Sequence, residues 1–418
     1  MRIAWREFGA GLAAVWIVLC GSGLGAESKG KPEPTAPAAV IDASKYPSLQ
    51  AALDAVPESG GLVKLPPGEF RLDRPLVLSR GNTRVEGAGP ATRLINCNRQ
   101  GEPAVVIRAA KPKTRLWRVE VAHFRISGDP DAVDGKSGKP KGGDGLRVEY
   151  VDEFQAQSMS IDHHGGHGIH LVQCYEDPRI VHCIITYNAL AGLNIVAGHD
   201  VVVSANQFEE NQDAVRCVDS FNLCMNGNNI DDHLRDGVVI ENTYGSVLSG
   251  NMIEECNGRA IVLDRDCYGI TLSANVIAHN SGGGIDLIDA WGCAVSANTF
   301  TINAVRSLRV GPQAGRITVT GNNFSDSFIG SQRKREDKPD EAAGIVLEGT
   351  SDITITGNVF SGLAAEAIRA DASCRRVVVA NNILTDLNRK TAGQGKPIDL
   401  GGAKEVVEGQ NLGPAPPQ

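Results

Sequence analysis

Apolar and polar residues alternate along most of this chain in short bursts of three to five, set between glycine, asparagine and serine. A period of two within each burst predicts strands with one inward and one outward face. A helix needs a 3.6-residue period over about ten residues, and only residues 48–56 (SLQAALDAV) have that form. Ser48 is placed to cap its start, and Pro57 with Gly60 and Gly61 to end it. A helix there would cover the open edge of the first coil, which otherwise templates aggregation.

The bursts fall into two interlocked patterns. The first is an alternation closed by an asparagine, as in VVVSANQF. Its asparagines are Asn206, Asn228, Asn251, Asn275, Asn298, Asn322, Asn358 and Asn381, spaced 22–24 residues apart except for one interval of 36. The second reads small–apolar–x–apolar and starts at Gly145, Gly168, Gly192, Ala214, Gly237, Ala260, Gly284, Ala304, Gly344 and Ala367. A unit of about 23 residues with two or three short strands cannot bury its apolar face alone and must stack on its neighbours. The expected fold is all-β: a parallel β-helix, a solenoid of such coils about 4.8 Å apart, with a short N-terminal capping helix. A second set, Asn188, Asn211, Asn280 and Asn303, lies three residues past the closing apolar residue of the first pattern. Stacked amides there would form a ladder. His164, His233 and Cys256 take the same place in other coils, so they read as structural.

Composition agrees with a repeat array: 48 of 418 residues are glycine and only 5% are aromatic, while 42% are hydrophobic, too many for a disordered chain. A net charge of -8 argues against a nucleic-acid partner held by a basic surface. Residues 1–26 read as a signal peptide, with Arg2 and Arg6 before an apolar stretch and Leu24-Gly25-Ala26 at its end. The expected location is therefore periplasmic or extracellular, with no integral membrane span after cleavage. Residues 27–39 form a Pro/Ala-rich linker, 40–410 the β-helix domain and 411–418 a tail. The ten cysteines include no CxxC. Cys183, Cys217, Cys256 and Cys293 sit at repeat positions and read as buried thiols. A Cys174–Cys183 disulfide is permitted in an exported compartment but not assigned by spacing.

The stretch SLQAALDAVPESGGLVKLPPGEFRLDRPLVL, followed by RVEGAG, resembles the N-terminal segment of the pectate-lyase-like superfamily. The later coils resemble the same group over about residues 40–410. The resemblance implies a right-handed parallel β-helix and activity on, or binding of, polysaccharide. DAVR at Asp213, DGVV at Asp236 and HGIH at His167 locally resemble the catalytic patterns of polygalacturonase-like hydrolases, though here the histidine precedes the aspartates.

On a solenoid, chemistry should appear as unlike polar residues in one outward column. The column before the second pattern reads His167, Ala191, Asp213, Asp236, Arg259, Gly283. The outward residue within it reads His170, Asn194, Arg216, Val239, Val262, Asp286, Arg306, and the next adds Glu241 and Asp264. Two chemistries on an acidic glycan follow. In a glycoside hydrolase, Asp213 and Asp236 would divide the acid and water-activating roles. In a lyase, Arg216 or Arg259 would neutralise a uronate carboxylate, His167 would take the adjacent proton, and the acidic residues would hold Ca²⁺. His170, Arg216, Glu241, Asp264 and Asp286 would bind substrate, and no metal ligand is assigned. The alternative is a non-catalytic glycan-binding or cell-envelope scaffold. Two polar insertions, residues 128–144 and 325–344, break the period. Asp129, Asp131 and Asp134 of the first are calcium candidates, while Arg333-Lys334-Arg335 of the second reads as a solvated loop.

Overall fold

The computed structural model describes residues 39–133, 138, 141–325 and 342–413. The expected leader, linker residues 27–38, Asp134 and Arg333-Lys334-Arg335 lie outside the described residues. Within them the chain winds as a right-handed β-solenoid. Each regular coil contributes one short strand to each of three parallel sheets, here I, II and III in the order the coil visits them. The coil Val202–Ser204 (I), Gln207–Glu209 (II) and Val215–Val218 (III) is typical. Sheets II and III hold 13 strands each. Every pairing between named strands is parallel, as stacking of successive coils requires.

Inward side chains fill the tube. Val203, Phe208, Val215 and Cys217 of one coil are fully buried, as are their counterparts above and below. Phe300, Phe324 and Phe360 stack in register along sheet II with centroids 4.6 and 4.7 Å apart. That spacing is the coil rise itself. All nine cysteines of the described residues are free, and most are buried. Cys174 and Cys183 each point a thiol at backbone carbonyls of their own surroundings and form no disulfide.

Corners between sheets are where backbone groups lose ladder partners, and buried asparagines fill that gap. At the I–II corner, Asn228 Nδ2 donates to Asn251 Oδ1 at 2.9 Å and to Val203 O at 3.0 Å, while Asn251 Oδ1 also accepts the Asn228 N–H. The same three bonds repeat from Asn206 to Asn358. The next rung is Asn382, not Asn381, and Asn411 follows it. The reason is local. The residue before each rung from Asn206 to Asn382 turns through the left-handed region, where glycine or alanine stands in the other coils. Asn381, at φ +57°, does that work here because asparagine tolerates it.

At the II–III corner Asn188 and Asn211 bond in the same way, and Asn280 with Asn303. His164, His233 and Cys256 do occupy the intervening rungs. Each histidine is fully buried with one ring nitrogen unpaired. Burial pushes both imidazoles down from 6.5 to about 4.

The helix runs Leu49–Asp54, with Ser48 Oγ accepting the Ala51 N–H at 3.1 Å. Gln50 finishes the cap: its side-chain amide accepts the Val77 N–H (2.8 Å) and donates to Val77 O (2.9 Å), mimicking a further strand against Leu76–Leu78. No helix of the described residues is long and apolar enough to cross a membrane.

Asn280→Leu should destabilise the fold by about 3 kcal/mol, since Cys256 N–H, Ile253 O and Asn303 Oδ1 each lose a partner. Equilibrium denaturation measures it. His233→Asn restores the repeat's own rung. A histidine held neutral in the fold but protonated below about pH 6.5 when unfolded contributes stability that is lost as pH falls from 6.5 toward 4. Roughly 2–3 kcal/mol of that acid loss should vanish in the variant, read from denaturation midpoints between pH 7 and 4.

Candidate functional site

Strand register decides which outward residues are neighbours. Asp213 and Asp236 are adjacent in one column, as are Asp236 and Arg259, because Val215 pairs with Val238 and Val238 with Ile261. The outward series within the strands runs His170, Asn194, Arg216, Val239, Val262, Asp286 as expected. Its next member is Arg309, not Arg306. The pattern read at Ala304 is displaced by three residues: a tight turn at Ala304-Val305 precedes the strand Arg306–Val310, in which Ser307-Leu308-Arg309-Val310 takes the place of the repeat. Arg306 thus falls two residues before inward Leu308, which is the column of Asp236 and Arg259.

The expected site residues separate into two groups. Asp213, Arg216, Asp236, Glu241, Arg259 and Asp286 belong to an ion ladder. Asp213, 1% exposed in its side chain, is gripped by Arg235 through both carboxylate oxygens and approached by Arg216. Its Oδ1 also accepts the Asp236 N–H at 3.1 Å. Arg216 reaches on to Glu241 at 2.6 Å. Asp236 repeats the motif, accepting the Arg259 N–H at 2.8 Å and its Nε and Nη2 at 3.1 Å. Asp286 meets Arg259 and Arg309. The Asp264 carboxylate accepts the neighbouring Arg265 N–H. Calcium wants six to eight oxygen ligands, and nearly every carboxylate of this ladder already faces a guanidinium, so the donor set does not fit that ion. Asp129 likewise is buried against Arg71, at 2.6 Å.

His167 and His170 form the other group, with two residues the sequence reading passed over, Asp144 and Arg147. Asp144 closes the first insertion and stands in the His167 column, since Leu146 pairs with Ile169. The signal was present, because DGLR at Asp144 repeats the DGVV form of Asp236. Asp144 Oδ1 accepts the His167 N–H at 2.8 Å, and Oδ2 meets His170 Nδ1 at 3.0 Å. Burial raises the Asp144 carboxyl, but these bonds outweigh it and hold it below its ordinary value. An ionised carboxylate only accepts, so we assign the His170 proton to Nδ1, leaving Nε2 with a free lone pair. Arg147 Nη1 lies 3.5 Å from the same carboxylate and 3.3 Å from His170 Nδ1, the longer of the two contacts at that nitrogen, so the Asp144 bond decides the proton's place. His167 is the reverse case. Its Nδ1 accepts the Ala191 N–H at 3.1 Å, which puts the neutral ring's proton on Nε2. Burial lowers this imidazole to about 4, so it is neutral at ordinary pH. The rings pack edge-on with centroids 4.9 Å apart.

Both histidines line a groove of about 1000 Å³ whose walls carry Arg74, Arg108, Lys141 and Arg147. A cleft on sheet I holds Arg84, Arg118 and Glu120, but there Arg84 is paired with Glu120 and Glu86 and no histidine is present.

Solved structures share this architecture. The mannuronan C-5 epimerase AlgE6 A-module of Azotobacter vinelandii aligns with TM-score 0.56 and 16% identity over 88% of this chain and 94% of its own. The surface adhesin PfbA of Streptococcus pneumoniae aligns at 0.60 and 13%, over 79% and 92%. DFA-IIIase from Arthrobacter chlorophenolicus A6 aligns at 0.59 and 14%, over 81% and 93%. At these identities the likeness is one of fold. No curated protein sequence matches the chain. The family model for the right handed beta helix region matches residues 144–300 and 248–402, coils whose strands, corners and columns are those described above, and the chain belongs to that family.

Proposed function

We propose that this protein cleaves an acidic polysaccharide by β-elimination in the groove around Asp144, His167 and His170. One observation carries the reading: the Asp144–His170 contact, which leaves the Nε2 lone pair of a groove-lining histidine free beside a rim of cations. In elimination the base takes the proton from the carbon next to the sugar carboxyl group. The neighbouring C–O bond then breaks, a C=C bond forms, and the departing oxygen takes a proton from solvent. His170 is the base, oriented by Asp144. Negative charge grows on the substrate carboxyl as the proton leaves. The neutral His167, donating from Nε2, and Arg74, Arg108 and Lys141 are suited to stabilise it.

Hydrolysis has weaker support. It needs a carboxyl kept protonated beside an ionised one, whereas Asp213 and Asp236 face arginines and Asp144 is held low. The epimerase that shares the fold is, by its name, an enzyme of a sugar polymer. Export by the residue 1–26 leader would place the protein where such polymers are met. In this reading Asp213 and Asp236 hold the scaffold under the groove rather than react.

His170→Gln should lower the rate of ultraviolet-absorbing unsaturated ends from a uronate polymer at least 100-fold with an unchanged melting temperature, as expected when a general base is lost. New reducing ends without that absorbance would instead mean hydrolysis, and binding without either product would leave the scaffold reading. Asp213→Ala should act on stability, costing about 2–3 kcal/mol because the Asp236 N–H and two guanidiniums lose their acceptor. Thermal and chemical denaturation distinguish the two variants.

A further inference from the structure

Five coils along sheet III from His170, the pairing arrives at Asp286. That is about 24 Å at the ordinary strand spacing. The Asp286 carboxylate is buried and faces three guanidiniums: Arg309 at 2.9 Å, Arg259 at 3.2 Å and Arg306 at 3.9 Å. Two of these have a second acid. Arg259 also holds Asp236, and Arg309 also holds Glu348 at 2.8 Å. Arg306 has only the 3.9 Å approach, outside hydrogen-bond reach. Among the described residues it is a guanidinium without a carboxylate of its own, though its side chain is only 28% exposed.

Its placement is enforced. The Arg306 N–H bonds Ala304 O at 2.8 Å, a three-residue turn that drives Val305 to φ +68°. Left-handed backbone is costly for a β-branched residue. Opposite lies Gly283, φ +113°, where a Cβ would sit 3.0 Å from Arg306 O and 3.8 Å from its Cγ. The bare glycine leaves room for the Arg306 carbonyl. Burial pulls this guanidinium below its ordinary value. Asp286 pulls the other way, while Arg309 and Arg259 add to the loss.

We infer that Arg306, with Arg259 and Arg309 behind it, is an anion subsite for a carboxylate or sulfate group on a glycan laid along sheet III. The planar guanidinium fork suits either oxyanion. Asp286 is a positioning residue that gathers the three arginines. The inference rests on the reading of the histidine groove as a glycan site, and it adds that the chain extends five coils beyond it.

Calorimetric titration of the wild type, Arg306→Gln and Arg306→Lys tests this with uronate oligomers long enough to span five coils, uronate trisaccharides, and sulfated neutral oligomers of the longer length. The long anionic oligomer should bind Arg306→Gln about tenfold more weakly than the wild type, with Arg306→Lys between them and a shallower salt dependence. Trisaccharides should not distinguish the proteins. Loss confined to the uronate series assigns a carboxylate, and loss confined to the sulfated series a sulfate. Equal affinity of all three proteins for both long oligomers overturns the subsite, whatever His170→Gln does to elimination. The tenfold loss without elimination of any polymer supports the subsite and overturns the proposed activity. No binding of any oligomer to the wild type overturns both.

Discussion

A peptide chain that changes direction three times per coil must satisfy its corner amides without water, and two columns of buried asparagine do so here. Each side chain bonds the coil before and the coil after, so one position is locked at the same height in every turn. Once that height is fixed, strands pair in parallel register, inward residues stack on their own kind, and outward residues form columns. The phenylalanine stack in sheet II and the ion ladder on sheet III are two consequences of one spacing.

Within a column, chemistry depends on what the next coil supplies. Asp144, Asp213 and Asp236 hold equivalent positions, and each spends one oxygen on the backbone N–H below it. The remaining oxygen of Asp213 and Asp236 meets arginine, which turns those carboxylates into structural ties. The remaining oxygen of Asp144 meets an imidazole and fixes its proton. Uncharged Ala191 and Asn194 lie between the two regimes, although the Arg216 charge still adds to the lowering of His167. One repeated aspartate therefore serves as a brace in two coils and as an orienting group in a third.

Departures from the repeat concentrate where the outer face carries charge. Lys141, Gly142 and Gly143, at the end of the insertion before Asp144, line the groove, and the tight turn at Val305 delivers Arg306 into the column of Asp236 and Arg259. Histidine in two asparagine rungs is a further irregularity, and it makes part of the stack sensitive to acid.

The sequence by itself determined the repeat, the parallel stacking, the two asparagine columns and the capping helix, because each rests on local periodicity or on a residue type recurring at fixed spacing. It also placed His167 and His170 on the outer face, and Asp213, Asp236 and Arg259 in one column. It did not separate these into a reactive pair and a set of ties, since that depends on which guanidinium reaches which carboxylate across coils. Asp144 looked like the end of a loop, although its DGLR context repeated the motif. Arg306 and Asn381 were each assigned a neighbour's place, the first because three extra residues shift the strand, the second because a left-handed turn residue precedes that rung. Register, and with it the partner of every charged side chain, was decided only by the tertiary stack, where buried corner amides tolerate a single alignment.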